Sequence, residues 1–531
     1  MKSSVYTDCE DLLGIDAEVK DLLKCVSSSI NSVPAGAVNF SRSVLLVISA
    51  ALVFFMQAGF AMVCAGAVRK KNVQNTMLKN LLDACGAVIA YFVVGFAFSF
   101  GGMDPESTRT DFIGKENFFL MGVEDYAFWL FQYAFSAASA TIVAGALAER
   151  CQMAAYLCYS LMLTGWVYPI IVHAIWNVNG FLSAMHSDPL FGVGMIDFAG
   201  SGVVHVTGGL TALFATAILG PRRGRFHDDS GRKLDTPKPI QGSSVALQML
   251  GTFILWFGWY GFNCGSALLV INEYTGSIVA LAAVNTTMSA GVAGITALFV
   301  NLWYLERTTG EPFFDLTYAM NGALSGLVAV TAGCGVIEPW AAVTTGFVAG
   351  LIYMVGSRGL IMVRLDDAVD AIPVHLMNGV WGCTAVGLWA SPTRISRYFG
   401  RAPHPGWFYA IRDGNPGDMR LLGAQLVGLL FIIGWVMSIM VPFFIWLDWK
   451  GWFRSDPLEE IVGLDTSYHG GLALLNSYQD TVQPEYITAF KKQREEGNLR
   501  RRNNRGVGHV GTAGDSEVYE ESGHGVTEDA C

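Results

Sequence analysis

Eleven apolar stretches, each close to the thickness of a bilayer's hydrocarbon core, run through this chain and leave few folds open to it. Crossing about 30 Å of hydrocarbon takes roughly 20 helical residues. Stretches of that kind begin at Ser43, Met77, Asp125, Met153, Phe198, Ser243, Ser277, Leu316, Pro339, Ile372 and Met419. Backbone polar groups in hydrocarbon have no water to bond, so segments of this length satisfy themselves as helices. A chain of 531 residues that is 52% hydrophobic, 15% charged and carries 60 glycines does not suit a soluble domain. The expected fold is an all-α membrane protein of eleven transmembrane helices. Residues 1–42 lack an apolar signal-peptide core, so the first span is expected to target the chain as well.

Basic residues choose the orientation. The connections after spans one, three, five, seven and nine hold fourteen Lys and Arg, from Arg69 to Arg364, and these are expected to be cytoplasmic. The opposite loops hold Arg109 and Lys115, then none until the cluster Arg394, Arg397, Arg401, Arg412 and Arg420. The N-terminus is therefore expected outside and the C-terminus inside. This divides the chain into an extracellular arm (1–42), a transmembrane domain (43–447), a cytoplasmic tail (448–485) and a polar, charge-patterned end (486–531) expected to be disordered. The net charge of −10 comes largely from the two polar ends, and the tail mixes basic and acidic runs, so nucleic acid is not indicated as a partner.

Spans one to five and six to ten resemble each other. FFMQAGFAM in span one echoes WFGWYGFNCGS in span six, and the fifth and tenth spans each carry a histidine, His205 and His375. Two five-helix halves have opposite topology and bring a site to the midplane between them, with the last helix outside the repeat. At 1.5 Å per residue, His205 lies about 12 Å in from one side and His375 roughly 8 to 13 Å in from the other. Ionisable side chains at that depth are costly and mark function, so the pair points to a proton-handling pore. Two unrelated core histidines, each satisfied by a carbonyl, are the bland alternative. A zinc site is the other sharp one, but it needs at least three ligands, and His173, near the outer end of span four, is a poor third. No metal or other cofactor is assigned. Ten cysteines show no CxxC pairing; Cys64, Cys85, Cys151, Cys158 and Cys383 read as small buried hydrophobes, and Cys9 and Cys25 as a candidate disulfide of the arm.

DFAGSGVVHVTGG, LGTFILWFGWYGFNCGS, FQYAFSAASATIVAGALAER, FAMVCAGAVRKKN with NLLDA, and DDAVDAIPVH together resemble the ammonium transporter family, and AMVCAG and GPRRGRF its eukaryotic, plant-like branch. The resemblance covers about residues 43 to 475. It implies ammonium or ammonia as substrate, with methylammonium as its analogue, a homotrimer in the lipid bilayer of the plasma membrane, and no enzymatic activity. It implies that Trp176, Ser266, Phe135 and Trp259 recruit the cation at an outer vestibule, where aromatic faces attract it and a hydroxyl accepts its hydrogen bond. Phe135 and Phe262 are implied as a pair of stacked gate rings above the pore histidines, His205 and His375. Asp197 matches an aspartate beneath the vestibule, and its place just before span five is also that of a helix cap. Asp370 and Pro373 similarly start span ten. After His375 the sequence departs from the branch: HLMNGVWG replaces a more glycine-rich stretch and sets the hydrogen-bonding side chain of Asn378 near the pore.

In the tail, EE, GLD and HG resemble a regulatory segment that docks on a neighbouring subunit. Ser467, with Thr466 beside it, falls where the branch carries a phosphorylatable threonine, so a kinase is an implied partner. Aromatic residues elsewhere read as interfacial belt or packing. A secondary transporter of another small solute and a sensor that binds ammonium without moving it are the rival classes. The first usually keeps an unpaired carboxylate at the midplane, and none is found there.

Overall fold

A computed structural model describes residues 19–104, 109–228, 230–470 and 484–506. Helices dominate it, and among the described residues the only β pairing consists of isolated bridges. The principal helices are α1 (Val19–Ala67), α2 (Lys70–Phe100), α3 (Tyr126–Ala146), α4 (Met153–Trp176), α5 (Ser201–Leu219), α6 (Val245–Leu269), α7 (Thr275–Thr308), α8 (Leu316–Thr331), α9 (Pro339–Met362), α10 (372–389) and α11 (Arg420–Trp449). Among the described residues, nine are long and apolar enough to cross a membrane. The other two predicted spans, α8 and α10, are shorter. At 16 residues α8 covers only about 24 Å. It stops because the carbonyls of Thr331 and Ala332 accept the N–H groups of Ala199 and Phe198, at 3.1 and 3.0 Å, instead of continuing the helix. Irregular backbone of this kind is tolerated within a membrane protein where other helices bury it.

The observed boundaries correct several expectations. Helix α1 starts inside the proposed N-terminal arm, at Val19. Helix α2 begins at Lys70 rather than Met77 and takes Lys79 into the bundle, where its Nζ donates to the Cys151 carbonyl at 2.6 Å. Cys64, Cys151 and Cys383 are buried as expected, but Cys158 is half-buried and Cys85 is exposed. Cys9 lies outside the described residues, and with it the disulfide to Cys25. A helix, Pro484–Gly506, begins in the tail and extends into the end (486–531) expected to be disordered, and its Ile487 and Phe490 pack on Val462.

Helices α1 and α6, the first of each half, pack along one another. Glycines permit the approach: a Cβ at Gly258 would meet Met56 Cγ at 2.3 Å, and one at Gly251 the Gly59 carbonyl at 2.6 Å. The two histidine-bearing helices, α5 and α10, also touch, and α11 lies against both. Large apolar side chains such as Phe55, Ile89, Phe253, Phe257, Ile295, Phe299 and Leu430 stay exposed around the bundle, as a lipid-facing surface requires. This is an all-α membrane protein.

One end of the bundle carries the C-terminal tail and is called here the tail face; the opposite end is the distal face. After α11 the chain turns back onto residues 69–223. Glu460 accepts from the Arg223 N–H at 2.7 Å and from Arg454 at 2.9 Å. Asp465 caps α2 through the N–H groups of Gln74 and Asn75, at 3.0 and 2.7 Å, and His469 Nε2 lies 3.1 Å from the Asn75 amide. Within the one chain, the EE, GLD and HG residues thus already meet residues 72–75 and 223. An asparagine-rich helix start, Asn72 to Asn75, offers open N–H groups, and a carboxylate about 390 residues downstream supplies the acceptor.

Candidate functional site

Both histidines sit on π turns, Ser201–Val206 in α5 and Ile372–Met377 in α10, which widen the helix where it meets its partner. The turns pack directly: a Cβ at Gly379 would meet the Ser201 carbonyl at 2.7 Å, and one at Gly209 the Leu376 nitrogen at 2.5 Å. This contact sets the His205 and His375 rings nearly parallel, 18° apart, with their Nδ1 atoms 3.2 Å from each other. A hydrogen bond between two imidazole nitrogens needs one donor and one acceptor, so the facing nitrogens share a single proton. Both rings are buried.

Above this pair, towards the distal face, the rings continue as a column. Phe262 lies 5.6 Å from His205, Phe135 stacks on Phe262 at 4.0 Å, and Trp176 meets Phe135 edge-on at 5.9 Å. Trp176 and Asp197 line a cavity of about 460 Å³ open to the distal face. The Trp176 indole N–H donates to the Asp197 carbonyl at 2.7 Å, which fixes the ring at the cavity floor. Below the pair, His375 lines an apolar hollow of about 30 Å³ with Phe60, Val63, Ile142, Leu255 and Leu324. Beyond it a polar cavity of about 420 Å³, lined by Asp366, Asp367, Asp370, Arg222 and Arg225, opens to the tail face. Cavity, stacked phenylalanines, imidazoles, apolar hollow and second cavity follow one another through the bundle.

Of the residues expected at the vestibule, Trp259 lies deeper, whereas Ser266 lies one turn beyond Phe262 towards the distal face. Trp259 is fully buried one helical turn below Phe262; its ring stacks on His205 at 5.1 Å and its N–H donates to Thr331 Oγ1 at 2.9 Å. It belongs to the histidine level, because a residue three positions before Phe262 lies one turn nearer the tail face. Ser266 is buried and donates to the Phe262 carbonyl at 2.9 Å, keeping its oxygen lone pairs. His173 faces the Ser99 carbonyl through Nδ1 at 3.1 Å, away from the pair. Among the described residues no three histidine, cysteine or acidic side chains are grouped to hold a metal ion.

Asp197 accepts the N–H groups of Gly200, Gly202 and Val203, each at 2.9 Å, and so caps the π turn of His205. The matching cap in α10 is Asp367, which accepts from Ile372 at 2.7 Å and Val369 at 3.2 Å. Sequence reasoning chose Asp370 for this position. Asp370 instead holds a left-handed backbone, φ 60°, and accepts the hydroxyls of Tyr353 and Ser357 at 2.9 and 2.8 Å. The missed signal was the spacing: Asp197 and Asp367 each precede their histidine by eight residues.

At the tail face a buried ion network joins the halves. Arg222, just after α5, binds both oxygens of Asp366, just before α10, at 2.8 and 2.9 Å, and reaches Glu149 at 3.1 Å. Burial alone raises these carboxyl pKa values, but the Arg222 guanidinium outweighs it and holds Asp366 well below the ordinary carboxylate range; Arg222 and Arg69 together hold Glu149 down. Ser467 is half-buried with its hydroxyl donating to the Gly463 carbonyl at 3.1 Å, and Thr466 is fully buried.

A membrane-length helical bundle pierced by a ring-lined column between two cavities is the architecture of a membrane transport protein. The chain belongs to the ammonium transporter family, whose family profile, Ammonium Transporter Family, matches residues 44–474. It is 40% identical to Ammonium transporter 1 member 3 of Solanum lycopersicum over 468 residues, 86% of this chain and 97% of that protein. It is 39% identical to Ammonium transporter 3 of Dictyostelium discoideum over 85% of this chain and 98% of that one. Among solved structures, Candida albicans Mep2 aligns with a TM-score of 0.67 at 27% identity, covering 84% of this chain and 91% of that chain. A solved protein named Sensor Amt Protein aligns at a TM-score of 0.67 with 30% identity, over 81% of this chain and 98% of that one.

Proposed function

We propose that this protein carries ammonium across the plasma membrane, recruiting the cation at the distal face, removing its proton and passing ammonia between His205 and His375. The distal face is then extracellular and the tail face cytoplasmic, with eleven crossings, the N-terminus outside and a homotrimer as the assembled form. The observation that carries this reading is the pair of imidazoles meeting at 3.2 Å in an otherwise aromatic and apolar column. Stripping the water from a cation in such a constriction costs several kcal/mol, and the protein's rings and hydroxyls replace only part of the shell. Trp176, Phe135 and the lone pairs of Ser266 hold ammonium above the gate, and Trp259 backs His205 below it. Loss of the proton removes the desolvation cost. Potassium has no proton to lose, so the same column rejects it.

Uptake of labelled methylammonium by cells lacking their own ammonium uptake tests this. The wild type accumulates label and excludes potassium; His205→Ala and His375→Ala each reduce uptake or admit potassium. Unchanged uptake and selectivity in both variants would overturn the deprotonation step. The structurally similar Sensor Amt Protein carries a name that favours a second reading, binding without transport. A surface-expressed wild type that binds methylammonium and moves none would establish it.

The tail, residues 448–485, acts in this proposal as a regulatory segment, and phosphorylation of Ser467, or of Thr466 once the tail has lifted, releases it. A phosphate there would stand near Glu459 and Asp465 and disturb docking by like-charge repulsion.

A further inference from the structure

The turn carrying His375 is closed by a different kind of donor from the turn carrying His205. In a π turn a carbonyl accepts from the N–H five residues on. In α5 the Gly202 carbonyl does so: it takes the backbone N–H of Thr207, whose hydroxyl also lies 3.4 Å from the same oxygen. In α10 the residue five on from Pro373 is Asn378, and its backbone N–H goes elsewhere, to the His375 carbonyl. The Pro373 carbonyl is taken by the Asn378 side chain instead, through Nδ2 at 2.9 Å. Only the NH₂ end of an amide can face a carbonyl, so the orientation of this side chain follows from its partner. Asn378 is fully buried, where an open carbonyl is costly.

One residue therefore holds both the His375 carbonyl and the carbonyl two positions before it. Without the side-chain donor, the cheapest relief is for the turn to rewind towards an ordinary α-helix. Rewinding rotates the residues before Asn378 about the helix axis and takes the His375 ring off its approach to His205. The neighbours leave little slack: a Cβ at Gly356 would meet Met377 Sδ at 2.5 Å and Pro373 Cβ at 2.9 Å.

We propose that Asn378 is a positioning residue for His375, its side-chain amide standing in for the main-chain donor that closes the matching turn at His205. The inference rests on the transport reading above, so wild type and His375→Ala are measured beside it; a wild type without uptake defeats that reading, whereas the comparisons below address Asn378 alone. Threonine and valine have the same shape and differ in the hydroxyl, and Thr207 already uses a hydroxyl at the equivalent place. Full-length Asn378→Thr is expected to keep methylammonium uptake per surface molecule within about two-fold of wild type. Asn378→Val is expected to lose about ten-fold or more and to admit potassium, since displacements near 1 Å at a reacting group cost up to about a hundred-fold. Asn378→Asp gives a second reading should the valine variant fail to reach the surface. Burial favours its protonated form, which can donate to the Pro373 carbonyl, so its uptake is expected to stay above that of His375→Ala at neutral bath pH and to fall relative to wild type only as the bath is made alkaline. Equal uptake and selectivity in Val and Thr variants, or an Asp variant no better than His375→Ala at neutral and acidic bath pH, would overturn the assignment.

Discussion

At the distal end of the column the carboxylate Asp197, at the edge of the distal cavity, is buried and accepts three backbone N–H groups, whereas at the tail end the corresponding carboxylate, Asp367, is half-buried, accepts two and lines a cavity crowded with charge. The same contrast runs outward from each turn. The α5 turn is laced to its surroundings by neutral bonds: Ser201 Oγ donates to the Val328 carbonyl at 2.7 Å, and Gln425 of α11 pairs with both the N–H and C=O of Ile196 at 2.8 Å. The α10 turn is approached through charges, Asp366, Arg222, Arg225 and Asp370. A repeated architecture has thus been closed around one carboxylate cap and neutral bonds on one side, and around a cluster of paired ions on the other. Neutral buried bonds fix a geometry independently of pH and salt, while an ionic entrance responds to both. The tail adds to the asymmetry, because its hydrogen bonds to Lys71, Gln74, Asn75, Asn72, Leu219, Pro221 and Arg223 fall on the first half and the connection that follows it.

Arg222 is the place where the two halves are tied most strongly, and its removal is expected to have the largest effect. Arg222→Gln leaves Asp366 and Glu149 buried without their main cation, a loss of about 3 to 5 kcal/mol. Both carboxylates have folded-state pKa values below the ordinary value. Their contribution is therefore complete above the unfolded value of about 4 and is lost only as pH falls through the lower folded value. In the variant the carboxylates protonate earlier, which relieves their burial. The gap in thermal midpoint between purified wild type and variant is expected to be wide at neutral pH and to narrow on acidification. A gap that stays constant into acid would mean that the network ties the halves by packing and not by charge.

Next in size are the caps. Asp197→Ala orphans three N–H groups around a buried carboxylate at about 1 to 3 kcal/mol each, while Asp367→Ala orphans two around a half-buried one. The first variant is expected to lose most of its surface abundance. The second is expected to reach the surface and transport more slowly per molecule. Equal losses of abundance would erase the distinction between the fully buried and the half-buried cap.

Much of this was legible in the residues. Apolar length located most of the long helices, since hydrocarbon thickness fixes helix length, and two histidines in matching apolar segments pointed to the place inside the bundle where they meet. The Asp197 cap could be read from its position before FAGSG. Other features depend on information that a local pattern does not carry. The depth of Trp259 follows from the rotation of α6, and the choice of Asp367 over Asp370 from a backbone that passes through a left-handed residue first. The same-chain docking of GLD rests on Asn72, Gln74 and Asn75, about 390 positions away. Helix 484–506 is hidden by its polarity: Ile487 and Phe490 are enough to seat it on Val462, and a composition dominated by Lys, Arg and Glu reads as solvated chain.

The smallest expected effect lies in the tail, where the first half alone is covered. Ser467 contributes one neutral hydrogen bond to the Gly463 carbonyl, worth about 1 kcal/mol, so Ser467→Ala is expected to leave uptake within about two-fold of wild type. Ser467→Asp differs in kind. It adds a charge to a segment that already places Glu459 beside Tyr468 and Asp465 on the α2 terminus, and α2 can satisfy one carboxylate there but has no second pair of N–H groups to offer. The expected result is lower uptake together with faster proteolysis between Arg454 and His469 in membranes opened at the cytoplasmic face. If the aspartate variant transports fully while its tail is cut faster, docking and conduction are independent, and the asymmetry between the halves would be a matter of stability only.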